Sequence, residues 1–412
     1  MSLSVATFRP SRDPRLLDPA EARERSIRRR VGIAWGLLLL NTLQYTGALV
    51  HIPVAFGKAI TQGALPVAIL VALTVNRRIT VRPNVFLCLV SLLAIEPIVT
   101  ALQPEHLGTV YRTVRFIEFA VALWLLTPWW GRRDMLLVRW HLTWLSAVLG
   151  AVLLGLVVAP SQALYQGRLT GALWNIPPTQ VAHYAAVITG TMVLFWLCGQ
   201  VRGRVALLVA AVTGSMLILT HTRTALVAMV AALLIAGLSL VVARARARRL
   251  LAIAGVMAAI GILTLSSFIN TWLARGEGTH ELSNLTGRTE VWGALLAVPR
   301  DKFQEFFGFG LSNGSFNGFS IDSNWVSSYQ EQGLIGVVIC ALMVLFLFAL
   351  AYFQPHGLPR ALALFFVTYC LIASFTEDAF ADATPYLLEL TLAASLLVPS
   401  ALTQSAGDRK PP

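Results

Sequence analysis

Along this chain, apolar runs of about 20 residues alternate with short polar connections that carry most of the arginines. Windows of that length predict about twelve membrane-spanning helices. They lie near 31–50, 59–75, 83–101, 109–127, 135–158, 181–199, 204–220, 223–242, 250–268, 331–353, 359–375 and 384–401. The runs are continuous and do not alternate residue by residue, which predicts an all-α polytopic membrane protein and argues against a β-barrel. One connection stands apart. Residues 269–330 form the one long polar stretch between two apolar segments, and long loops of this kind usually carry function. The chain then divides into a basic segment 1–30, helices over 31–268, the large loop 269–330, helices over 331–401 and a tail 402–412. Arg28, Arg29 and Arg30 precede the first apolar run at Val31, which reads as a signal anchor, with no cleavable leader visible.

The charges sort by side. Arg77, Arg78, Arg82, Arg132, Arg133, Arg202, Arg204, Arg244, Arg246, Arg248, Arg249, Arg360, Arg409 and Lys410 fall with the N-terminal arginines on one face. The positive-inside rule makes that face cytoplasmic, with both termini inside. The opposite face holds 51–58, 102–108, 159–180, 221–223, 269–330 and 376–383. Its few cations are Lys58, Arg168, Arg223, Arg275, Arg288, Arg300 and Lys302.

Composition agrees with the pattern. Of 412 residues, 56% are hydrophobic and 13% charged, and mean hydropathy is +0.70. The net charge of +12 is spread over topogenic loops, so nucleic acid is not an expected partner. Cys88, Cys198, Cys340 and Cys370 lie in apolar segments and read as small core residues. The seven histidines show no ligand spacing and predict no metal site. His221 alone, beside Arg223, is placed to matter. Glu96 and Arg115, at similar depth in neighbouring spans, read as a buried ion pair.

Cations on the translocated face work against the topological bias and need a local reason. Arg275, Arg300 and Lys302 read as solvated loop residues. Arg168 in Gln166–Gly171, Arg223 in Thr220–Thr224 and Arg288 beside Gly287 share one face. A cluster of guanidiniums at an interface suits a pyrophosphate, because arginine pairs bidentately with phosphate and stays charged when partly dry. Pairing with Glu281, Glu290 or Glu377 is the alternative. Within the large loop, Leu285–Val298 predicts an amphipathic helix capped by Thr286 or Thr289, with Trp292 at the membrane interface and Pro299 as its stop. Asp322 is the candidate general base, for an attacking hydroxyl, or else the cap of a helix starting near Asn324. Glu331 opens the tenth span, where an acid suits a helix N-terminus. Glu377, Asp378 and Asp382 form an acidic connection, fit to hold an acceptor or to partner the arginines. No phosphate-binding Gly-Lys loop, nucleophile elbow or ATP-handling motif occurs.

Three segments resemble the O-antigen ligase and O-antigen polymerase family of bacterial envelope enzymes. They are Thr220-x-Thr222-Arg223, then Leu285-Thr-Gly-Arg288 with Trp292, then Gly308-x-Gly310 followed by Asp322-x-x-Trp325-Val326 and Glu331-x-Gly-Leu-Ile-Gly336. The resemblance implies a GT-C-like, metal-independent, inverting glycosyltransferase of the bacterial inner membrane, with its site on the periplasmic or extracellular face and no cofactor. The donor would be an undecaprenyl-pyrophosphate-linked glycan and the acceptor a glycan or lipid, with polysaccharide-assembly proteins as further partners. Arg223 and Arg288 would hold the pyrophosphate and Asp322 would act as base. Arg168, His221, Trp292 and Glu331 would contact substrate. Ligases of the family place a histidine where this chain has Asp322, which favours a polymerase or another polysaccharide ligase over a lipid A ligase. A lipid-linked oligosaccharide flippase is the competing class. It would place its cations at the membrane midplane in two related halves, a pattern absent here. A polymerase of the shape-and-division class and a structural scaffold are further alternatives.

Overall fold

The computed structural model describes residues 19–43, 49–50, 52–101, 107–241, 243–250, 252–253, 288–312 and 314–399. Among these the chain is helical apart from two small hairpins. Helix α1 spans Pro19–Asn41, α2 Val54–Val75, α3 Val85–Ile95, α4 Ile98–Ala101, α5 Leu107–Leu126, α6 Leu136–Val158 and α7 Pro160–Ala163. Next come strands β1 (Leu164–Tyr165) and β2 (Arg168–Leu169), then α8 (Pro178–Leu197), α9 (Gly203–Leu219) and α10 (Arg223–Val241). The outer segment supplies α11 (Arg288–Leu296), α12 (Lys302–Phe307), β3 (Ser315–Phe316) and β4 (Phe319–Ser320). Helices α13 (Asn324–Phe353), α14 (Leu358–Ala373) and α15 (Pro385–Leu397) close the fold.

Local chemistry sets several starts. The Asn84 side chain accepts from the Phe86 and Leu87 amides at 2.9 and 3.4 Å and so caps α3. Asp301 and Gln304 cap α12 reciprocally. Thr384 caps α15, with Pro385 preset for a first turn. Both hairpins turn on two residues of positive φ, Gln166-Gly167 and Asn317-Gly318, as right-twisted two-residue turns demand.

Five helices are long and apolar enough to cross a membrane: Ala55–Val75, Leu136–Val158, Pro178–Leu197, Arg223–Val241 and Asn324–Phe353. Val85–Ala101, Gly203–Leu219, Leu358–Ala373 and Pro385–Leu397 are shorter apolar helices. The chain is thus a helical membrane protein with multiple apolar helices. Span nine of the sequence reading lies almost wholly outside the described residues. Helices α8, α14 and α15 form the centre, buried along most of their length. Around them pack α10 on α14, α9 on α8 and α2 on α1. The outer helices turn large apolar side chains outward, among them Val157, Leu207 and Leu238, as lipid requires. Glycines admit close aromatic contact: a methyl on Gly190 would lie 2.1 Å from Phe365, and one on Gly32 2.1 Å from Trp140.

Several expectations need correction. Helix α1 starts at Pro19, so its first turns are polar and precede the apolar run. Helix α13 starts at Asn324, about two turns before Glu331; that acid therefore sits within the helix and does not open it. Gly333 interrupts the helix with φ 63° and ψ −160°. There, a β-carbon would meet the Phe306 backbone at 2.4 Å. Glu96 does not pair with Arg115. Neither Glu96 oxygen has a hydrogen-bond partner, while Arg115 sits 3.6 Å from Asp382 and donates to the Ala383 carbonyl at 3.1 Å. Three cysteines are buried, but Cys88 is exposed on α3.

The histidines are not all scattered. His141 and His183 converge on the fully buried Glu389, at 3.6 and 2.8 Å. Trp35 donates to His141 Nδ1 at 3.3 Å, which places the His141 proton on Nε2, the nitrogen that faces Glu389. This polar knot ties α1, α6, α8 and α15 together in the apolar centre.

Candidate functional site

At one end of the bundle, four separate segments meet. The first is the β1–β2 hairpin, which lifts Arg168 off α7. Its guanidinium donates from Nε to the Thr220 carbonyl at 3.0 Å and from Nη2 to Thr222 Oγ1 at 3.4 Å. Arg168 thereby fastens the hairpin to the second segment, the α9–α10 turn. That turn reverses through His221 at φ 51° and presents Arg223 as the first residue of α10. Both side chains are half-buried.

The third segment is the α14–α15 connection, 374–384. Thr376 donates to Thr224 at 2.9 Å, so the residue after Arg223 meets the residue before Glu377. The start of α13 holds this connection in shape. The Asn324 amide donates to the Ser374 and Glu377 carbonyls at 2.9 and 3.0 Å. Asn324 Oδ1 accepts from the Phe380 and Ala381 amides at 2.8 and 3.1 Å, and Trp325 donates to Ser374 Oγ at 3.0 Å. Asn324 itself is 1% exposed; its amide and Oδ1 are used inside the protein, where water cannot compete, while Nδ2 has no hydrogen-bond partner among the described residues.

The fourth segment is the outer one. Arg288, at the described start of α11, forks onto Asp322 Oδ2 from Nε and Nη2 at 3.2 and 3.0 Å. Ser320 donates to Asp322 Oδ1. Trp292 donates to the Ile321 carbonyl at 2.6 Å, which locks α11 against the β3–β4 hairpin. Asp322 has φ 43°, a backbone conformation tolerated by Asp more readily than by most residues. Its carboxylate does not cap α13. Ser323 occupies that position without a side-chain bond, so the capping alternative for Asp322 is set aside. Thr289 is the second residue of α11; Thr286 lies outside the described residues. An open cavity of about 570 Å³ runs between α11 and the hairpin, lined by Arg288, Glu290, Val291, Phe316, Phe319 and Asp322 among others.

Electrostatics link the segments. Burial pushes the Glu377 carboxyl up to about 7; Arg288 and Arg168 oppose the rise and Asp322 adds to it. Both arginines and Asp322 therefore act on this one group. Asp378 is likewise raised, by burial first and then by Glu331, although its side chain keeps an exposed edge that tempers the effect. Raised carboxyls are partly protonated at neutral pH, so the field of the guanidiniums is less cancelled than a count of acids implies.

Two residues serve the scaffold. Glu331 Oε1 accepts from the Ser312 amide at 2.9 Å, the Ser312 hydroxyl at 2.6 Å and the Gly314 amide at 3.1 Å, drawing the loop after α12 onto α13. Arg300, expected to be solvated, instead donates to the Tyr329 carbonyl and Gln330 Oε1 at 3.1 and 2.8 Å. Its guanidinium lies 4.2 Å from the Tyr329 ring centre.

The sequence reading placed Arg168, His221, Arg223, Arg288, Trp292 and Asp322 on one face, and they do meet at one end of the bundle. It missed Asn324, Trp325 and Ser374 as the frame. Glu281 lies outside the described residues, and Asp382 pairs with Arg112 and Arg115 at 3.8 and 3.6 Å, away from the three arginines. Among the described residues no cluster of metal ligands occurs.

Comparison with known proteins follows the same stretch. Residues 206–336 match the family model described as O-Antigen ligase. The match runs from α9 to just beyond the Gly333 kink and includes Arg223, Arg288 and Asp322. No curated relative matches the chain.

Proposed function

Taking the O-antigen ligase domain over 206–336 as premise, we propose that this protein transfers or polymerises a lipid-linked glycan at the membrane surface. The observation that supports it most is the meeting of three arginine-bearing segments on the connection that holds Glu377. Fixed guanidiniums in a partly dry site are suited to a pyrophosphate.

In this reading the donor is a glycan on undecaprenyl pyrophosphate, and Arg168, Arg223 and Arg288 receive its phosphates. An acceptor sugar hydroxyl attacks the anomeric carbon. The new oxygen–carbon bond forms as the carbon–oxygen bond to pyrophosphate breaks, with inversion. The leaving group is already a stable anion, so charge stabilisation matters more than protonation. Asp322 takes the hydroxyl proton late in the step. Its resting partner is Arg288, and an arriving pyrophosphate competes for that guanidinium. Donor binding would therefore unmask the base only when a substrate is present. Glu331 and Trp292 hold the outer loop over the site and limit water. No step draws on a metal. The site faces the periplasm or exterior, with both termini cytoplasmic.

A deletion strain complemented with Arg223→Ala, Arg288→Ala and Asp322→Asn tests this. Normal membrane levels with accumulated lipid-linked donor support transfer. Lost chain length with single units still attached identifies a polymerase; intact long chains without attachment identify a ligase. Full activity in all three variants would favour a transporter.

A further inference from the structure

A second cavity, of about 660 Å³, opens at the other end of the bundle. Residues 49 and 50 donate to the Ala172 and Leu173 carbonyls, near Arg168, and α2 runs from there to Asn76. The α2–α3 turn is thus remote from the site just described. The cavity is lined by Arg23, Ser26, Ile27, Arg30, Thr74, Val75, Asn76, Arg77, Arg78 and Thr80. Its wall holds four arginines and no acid.

We propose that this cavity is a binding site for the phosphate headgroup of an anionic membrane phospholipid. Arg23 and Arg30 are seven residues apart on α1 and share a face with Ser26 and Ile27. Arg77 and Arg78 come from a turn that is rigidly built. Asn76 is buried, donates to the Thr80 and Leu125 carbonyls at 2.7 and 3.0 Å, and accepts from the Thr80 amide at 2.9 Å. The two pairs of guanidiniums face one another across a preformed gap.

A topological preference for arginine explains why basic residues lie at this end, but not why these four have no ion-pair partner among the described residues. Neighbouring arginines are neutralised internally: Arg28 and Arg132 bind Glu24 and Asp134 at 2.8–3.3 Å. Among the described residues, Arg23, Arg30, Arg77 and Arg78 make no such pair. The cavity also straddles the edge of the apolar spans. Beside it Ile79 is 62% exposed at φ 46°, a costly conformation for a β-branched residue. Val81 and Val85 are exposed as well. Phosphate-binding forks next to outward apolar side chains match a lipid with its headgroup in the cavity and its chains along α2 and α3.

Native mass spectrometry of the purified protein, released from vesicles of mixed phosphatidylglycerol and phosphatidylcholine, tests the site. We expect retained phosphatidylglycerol to exceed phosphatidylcholine by about thirtyfold, the worth of two such charges at a surface. The Arg23→Gln, Arg30→Gln, Arg77→Gln, Arg78→Gln variant should lose the preference. Because removing topogenic charge can disturb insertion, Arg77→Lys with Arg78→Lys keeps the charge and removes the forks. It should insert normally and retain several-fold less lipid. Inorganic phosphate at millimolar levels should not displace the lipid. Equal retention by wild type and both variants overturns the proposal, and displacement by inorganic phosphate alone assigns the cavity to a soluble phosphate instead.

Discussion

Replacing Arg288 by alanine separates two roles for the Arg288–Asp322 pair. As a brace, the pair is weak. Its side chains are 23% and 36% exposed, and ion pairs in contact with water contribute about 0.2–1 kcal/mol. As a donor to a leaving pyrophosphate, the same guanidinium is comparable to one oxyanion-hole group, whose loss costs roughly 2.7–4 kcal/mol, or about 10²–10³ in rate. We expect Arg288→Ala to lower transfer by about 10²–10³ while Tm falls by no more than about 2–4 °C. Arg288→Lys should fall between, since it keeps the charge but not the fork. The double variant Arg288→Ala, Asp322→Asn should be little worse than the poorer single one, because residues acting as a unit are not additive. The assay is product formation by purified protein from an undecaprenyl-pyrophosphate-linked glycan, beside a thermal melt of each variant. A rate for Arg288→Ala within about threefold of wild type, on a scale where one donor is worth about a hundredfold, would refute the reasoning. So would a rate loss matched by an equal loss of folded protein.

Other expectations follow from the same geometry. Glu377 titrates near 7 when folded, against an ordinary value of 4.5, so the folded state binds the extra proton between those values and stability falls as pH rises through that window. Melts at pH 5 and pH 8 should show this decline in wild type and a flatter profile in Glu377→Gln; parallel profiles would count against it. Gly333→Ala forces a side chain into φ 63° and onto the Phe306 backbone at 2.4 Å. It should destabilise by roughly 2–5 kcal/mol, read as lost membrane accumulation, and normal accumulation would dismiss the clash. Glu389→Ala removes the buried carboxylate beside His141 and His183 and should cost about 3–5 kcal/mol, with a Tm close to wild type as the contrary result.

The spans were legible because lipid imposes a length and a polarity on each helix, and α2, α6, α8 and α10 follow their apolar windows closely. The start of α13 was legible only as an alternative, a helix beginning near Asn324, while the apolar window began at Glu331. Trp325 to Gln330 is too polar for a hydropathy window, yet Asn324 and Trp325 build a helical start by bonding to a connection about fifty residues on. Pairing was the least legible. Glu96 and Arg115 have matching depth, but depth says nothing about rotation, and Arg115 faces Asp382. His141, His183 and Glu389 are separated by wide stretches of sequence, and no spacing rule joins them. Loop charge grouped Arg168, Arg223 and Arg288 on one expected face, whereas the fork of Arg288 on Asp322 required the fold.

The connection 374–384 follows α9, α10 and α11 in the chain, and it is the piece on which the arginine-bearing segments meet. Chains emerge N-terminus first. A partly inserted protein can therefore hold α9 and α10 in the bilayer, with α11 outside it, while Thr376 and Glu377 are still unmade. Through that interval the guanidiniums have no common frame, and the proposed polyprenyl donor would meet no assembled site. On the proposed function, competence arrives only once the α14–α15 connection is made, and a chain cut short before it would be inert.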